Sequence, residues 1–358
     1  MPKIIQFFHP GQEHGFDKNR EYNGLYLKDW NRSSHKRKFV LNDGYYFENG
    51  KKDKGELLFW CEWEPPSKVE DLTLQTENVL YGGNPKYLHH PFLPPDDQLR
   101  TYQGQAQNCE SNSGNDCHSN CSPQSGGSQN DEKNGYQNTD PFVFGDCFIY
   151  AICRQWMPSL RDLDDGSLIL FGSRVNLRYA IDTVFVVKNG KLHHCLQDVM
   201  NMQLGIYPEI VTRFIVDGNN QLNPPKGNFI YRGATYDEPH NGMYSFVPAK
   251  VYSKEKRGFP RFVMPDEFYK DQKLQKYFSK RDVVNGKITE QQTQGIKVND
   301  ADENVIKYFW EYLKNEISKE HVLGVKFNMP CVDEDFRYAK SKSMRKSSNS
   351  SNSTSCIK

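Results

Sequence analysis

Between Asp146 and Val187 the chain sets three apolar runs so close together that no crossover helix fits between them. The first, DCFIYAICRQW over 146–156, is apolar on both alternating faces. Phe148, Tyr150 and Ile152 share one face, and Cys147, Ile149 and Ala151 the other. Apolar residues on both faces mark a central strand covered on both sides. A polar turn, LRDLDDG, ends at Gly166 and leads into a second buried run, SLILFGS. The third, TVFVV over 183–187, meets Lys188, Asn189, Gly190 and Lys191, where the Asn-Gly pair favours a tight reversal. Parallel pairing needs a connection of a dozen or more residues, so this spacing implies a mostly antiparallel sheet or a small barrel.

Helical spacing appears around these strands. It runs over 194–214 through Leu196, Val199, Met200 and Leu204, with Gly205 and Pro208 as breaks. It returns over 266–278 and over 303–317, where Ile306, Phe309, Trp310, Leu313 and Ile317 share one face. Asp302 and Glu303 open that last helix, as the macrodipole favours. Short strands are expected over 229–231 and 245–251. With flanking helices, the expected fold class is α+β.

Upstream, KIIQFF reads as a first strand, and 57–63 as a strand stopped by Pro65 and Pro66. Its alternation puts Phe59, Cys61 and Trp63 on one face, and Trp60, Glu62 and Glu64 on the other. Residues 104–138 have almost no aliphatic side chains and are rich in Asn, Ser, Gly and Gln. Such a segment cannot bury enough apolar surface to offset the entropy of ordering it. The expected organisation is one body made of residues 1–103 and 139–335, with 104–138 as a disordered insert and 336–358 as a disordered basic tail.

The formal charge of +1 gives no global drive toward nucleic acid or acidic membrane. The stretch from Tyr338 to Lys358 carries five basic residues and no acid, which leaves the remainder near −4. No apolar run approaches the ~20 residues that cross a bilayer, so no membrane partner is expected. Met1 to His9 lacks the layout of a signal peptide. Nine cysteines without a regular framework suit reduced thiols in the cytoplasm.

Aromatics are abundant, with 22 Phe, 20 Tyr and 5 Trp, and basic residues interleave with them at WNRSSHKRKF (30–39), Tyr231-Arg232 and RGFPRF (257–262). That mixture is what a single-strand or flipped-base site needs. Cys153, Arg154, Gln155 and Trp156 lie where a buried strand emerges. Arg154 and Gln155 are donors that can read a base edge or hold a phosphate, and Trp156 can stack. As a nucleophile, Cys153 would need a base, for which His193 and His194 are the candidates.

HPGQEHG offers His9, Glu13 and His14, all sound metal ligands, at a spacing that matches no strong metal motif. Cys109, Cys117, His118 and Cys121 hold the atoms of a zinc knuckle without a completing pair; solvated, incidental cysteines are the simpler account. There is no Walker loop, GxGxxG, GxSxG or HExxH, and no cofactor is expected.

The order over 146–188 resembles the small barrel of PUA-like domains, the group that includes the EVE, ASCH and YTH types and domains associated with nucleotide modification. The resemblance covers about 45 residues and rests on a buried strand, an acid-rich turn ending in Gly166, GSLILFGS and then DTVFVV. It implies a nucleic-acid partner and an aromatic cleft that receives a base, including a modified one. Trp60, Trp63 and Trp156 are the candidate walls, and Arg154 and Gln155 the polar contacts. Two other readings stand beside it: a metal-dependent hydrolase or nuclease using His9, Glu13 and His14 with Asp146, and an interaction scaffold with insert and tail as arms.

Overall fold

The structure, a computed structural model, describes residues 1–9, 11, 13–31, 37–73, 85–95, 139–151, 153–155, 157–175, 178–193, 228–253, 259, 261–271, 273, 277 and 295–336. Its strands are β1 (Lys3–His9), β2 (Asp17–Tyr22), β3 (Leu25–Lys28), β4 (Lys38–Glu48), β5 (Lys51–Cys61), β6 (Ser67–Asp71), β7 (Tyr87–Pro91), β8 (Ile149–Tyr150), β9 (Leu168–Val175), β10 (Arg178–His193), β11 (Asn228–Gly233), β12 (Val247–Val251), β13 (Gly295–Asp300) and β14 (Val322–Phe327), with one helix, α1 (Glu303–Ile317). They form a six-stranded sheet, β13-β1-β9-β10-β11-β8, and an eight-stranded sheet, β14-β12-β5-β4-β7-β6-β3-β2. β14 also pairs with β4, so β4, β5, β12 and β14 close on themselves.

Both sheets lie in one compact unit formed by Met1–Phe92 and Ser125–Cys331. Strands from both sides of residues 104–138 pair within each sheet. In the second unit, Leu93 bridges Val332 and its carbonyl accepts from the Asp333 N–H at 2.8 Å.

The expected α+β class is corrected: strand makes up 49% and helix 10% of the described residues, with a single α-helix among them, so the fold is mostly β. Both sheets are mixed rather than purely antiparallel, because β1 runs parallel to β9 and β4 parallel to β7. The helix expected over 266–278 is reduced to a 3₁₀ turn at Phe268–Lys270 among its described residues, and Phe268 packs on Phe309 of α1. The segment 194–214 lies outside the described residues. β1 is interior, flanked by β13 and β9.

α1 forms where the apolar period and the acids predicted it. Asp302 caps it by accepting from the Asn304 N–H at 2.8 Å, and Ile306, Phe309, Trp310, Leu313 and Ile317 are buried. They pack on Ile4, Phe8, Leu168, Leu170, Val184 and Val186 of the six-stranded sheet. Each such side chain contributes on the order of 1.5–3 kcal/mol on burial. α1 therefore covers one face of that sheet. The other face carries Phe7, His9 and Phe171 in a stack, with Phe7 and Phe171 centroids 4.9 Å apart.

Candidate functional site

His9 is the last residue of β1 and pairs with Ser173 of β9. Its ring lies nearly parallel to Phe7 and Phe171, at 5.7 and 6.0 Å, so the apolar ladder holds the imidazole in orientation. From the other sheet, Trp60 of β5 pairs with Phe39 of β4. Arg37 and Glu62 flank this pair and are both buried. Arg37 Nη2 donates to His9 Nδ1 at 2.5 Å, and its Nη1 lies 3.4 Å from Glu62 Oε2. Burial opposes the Arg37 charge, but Glu62 and Asp182 outweigh it and raise the guanidinium above its ordinary value.

A bulge in β10 between Ile181 and Thr183 leaves Asp182 outside the regular alternation. Bulges re-aim side chains in this way. The buried Asp182 carboxylate pairs with Arg261, which also donates to Ser173 Oγ and lies 4.3 Å from the Trp60 ring centroid. Burial pushes the Asp182 carboxyl up even beside two guanidinium groups. Among the described residues, three buried atoms of this cluster have no hydrogen-bond partner: Trp60 Nε1, Arg261 Nε and Asp182 Oδ2.

Cys153 closes the other end of the cluster. Asp140 accepts from the N–H groups of Ala151 at 3.0 Å and Cys153 at 2.5 Å, while its own N–H donates to Glu62 Oε2 at 3.3 Å. Tyr150 Oη donates to the Cys153 carbonyl at 2.7 Å. Arg154 then turns the chain in the left-handed region, at φ 57°. Cys153 Sγ sits 3.6 Å from His9 Nε2, and burial pushes its thiol pKa up. A separate buried cluster joins Lys38 to Glu64 at 3.6 Å, with Lys28 Nζ donating to the Glu64 carbonyl at 2.8 Å. Burial lowers the pKa of both lysines.

The residues proposed from sequence are distributed differently. Trp60 belongs to the cluster. Trp63 is fully buried elsewhere, donates to the Pro66 carbonyl at 3.0 Å and packs edge-on against Phe144. Gln155 is buried and clamps the Phe229 backbone with two 2.6 Å hydrogen bonds, so its amide reads main chain rather than a base edge. Arg154 is half-buried on its turn, and Trp156 lies outside the described residues.

His9, Glu13 and His14 do not gather round one point. Glu13 accepts from the Lys86 and Tyr87 N–H groups at 2.9 Å, and the His14 carbonyl lies 2.9 Å from His89 Nε2. Burial pushes Glu13 up to about 7. Asp146 pairs with Lys326 at 2.7 Å. Among the described residues no three His, Cys, Asp or Glu side chains form a metal-type group. Cys109, Cys117, His118, Cys121 and His194 lie outside the described residues. The partner of Cys153 is His9, 144 positions upstream and not near it in sequence. Arg37 and Arg261 did carry a signal, since each sits in one of the basic-aromatic runs.

No protein-family model, curated protein or solved structure matches this chain. Among the described residues no helix is long and apolar enough to cross a membrane.

Proposed function

We propose that this chain is a nucleic-acid-associated protein whose base-type ligand is held at the Trp60–Arg261–Asp182 cluster, rather than on an open cleft walled by several tryptophans. The observation that carries the reading is the set of unmatched atoms there, two N–H donors and one carboxylate oxygen. A buried polar group without a partner costs about 1–3 kcal/mol, so three together favour a partner that offers acceptors and a donor on one edge. A heterocyclic base has that edge, and its flat face suits an arginine–tryptophan stack.

The PUA-like resemblance points to the same ligand class. Nine cysteines without a regular framework fit action in the cytoplasm. Titration with modified and unmodified oligonucleotides at low salt tests the reading. Binding is expected for at least one, and Trp60→Phe, which removes Nε1 but keeps an aromatic ring, should weaken it about tenfold (~1.4 kcal/mol). Absence of binding well above non-specific concentrations, or full affinity in Trp60→Phe, would overturn it.

A further inference from the structure

We propose that Cys153 is a nucleophilic centre for an electrophilic carbonyl carbon, held latent because Arg37 fixes its neighbour His9 in the wrong tautomer to accept a proton. A guanidinium has only donors, so its 2.5 Å contact obliges His9 Nδ1 to accept. A neutral imidazole then carries its proton on Nε2, the nitrogen 3.6 Å from Cys153 Sγ. In this state His9 donates toward sulfur and cannot take the thiol proton. The groups around the thiol leave it protonated: burial, Asp140 and Glu62 raise its pKa against Arg37 and Arg154.

Withdrawing Arg37 from Nδ1 changes the chemistry. The ring proton moves to Nδ1 by exchange with solvent, Nε2 takes the thiol proton, and a thiolate–imidazolium pair forms. The sulfur electron pair can then form a bond to a carbonyl carbon, whose π pair moves to oxygen. The main-chain N–H groups of Arg154 and Gln155, next after the thiol in the chain, are the donors proposed for that developing oxyanion.

Iodoacetamide, with mass-spectrometric readout at Cys153 and exposed Cys331 as internal reference, tests this near neutral pH. In the native chain Cys153 should react more slowly than Cys331. In Arg37→Met combined with Glu62→Gln, which removes both charges of the buried pair, the Cys153 rate should rise at least about tenfold relative to Cys331, and adding His9→Asn should abolish the rise. No rise, or a rise that survives loss of His9, overturns the proposal. Should the variants fail to fold, ¹⁵N resonances of His9 in the native protein decide: the Nε2–H tautomer supports it, and the Nδ1–H tautomer or imidazolium overturns it.

Discussion

Two buried arginines organise the candidate site by opposite means. Arg37 spends its donors on His9 and Glu62 and sets a tautomer, whereas Arg261 pairs with Asp182 over Trp60 and leaves Nε unmatched. Gln155 was a plausible base reader by residue type, but its partner is the Phe229 backbone, and a contact 74 positions away leaves no trace in local pattern. Gln155→Ala should therefore destabilise the fold by about 1–3 kcal/mol in chemical denaturation, because two main-chain groups lose their partner. Glu13 gives a pH signature. Its folded pKa is raised from 4.5 to about 7, so between these values the folded state binds the extra proton and stability falls as pH rises. Relative to Glu13→Gln, the native chain should lose on the order of 1–3 kcal/mol across that window, and a flat difference curve would contradict it.

At the scale of elements, α1 was legible, whereas for β10 the apolar run over 183–187 was legible and its extent was not. The apolar stripe and Asp302 cap of α1 are local properties of its own residues. Asn189-Gly190 satisfies the chemistry of a hairpin turn, yet β10 continues through it to His193 with a bulge between Lys188 and Gly190. Asn189 takes a positive φ of 62°, and its N–H donates to Asp165 at 2.8 Å. Both a turn and a bulge use a left-handed residue, and only the pairing with β11 distinguishes them. Gly44 marks the closure of β4 on β14: a Cβ there would meet the Lys326 carbonyl oxygen at 2.6 Å. Backbone cannot swing aside, so Gly44→Ala should cost about 1–3 kcal/mol, seen as a lowered denaturation midpoint. An unchanged midpoint would mean that the closure is looser than described.

At the scale of the molecule, the site draws on His9, Arg37, Glu62, Asp140, Cys153, Asp182 and Arg261, from segments spread over most of the folded chain. No window of sequence holds more than one or two of them, which is why composition showed basic-aromatic runs but not their meeting point. The interior position of β1 has a whole-chain consequence. Deleting residues 1–9 removes a strand between β13 and β9, so cooperative unfolding should be lost in calorimetry rather than shifted by a few degrees. The polar cluster joining the sheets is the proposed ligand site. The most direct measurement follows the indole Nε1–H resonances during titration with nucleosides. The Trp60 signal should shift with saturation while those of Trp63 and Trp310, already bonded to the Pro66 and Tyr244 carbonyls, stay in place. A Trp60 signal that does not move while ligand binds would contradict the account.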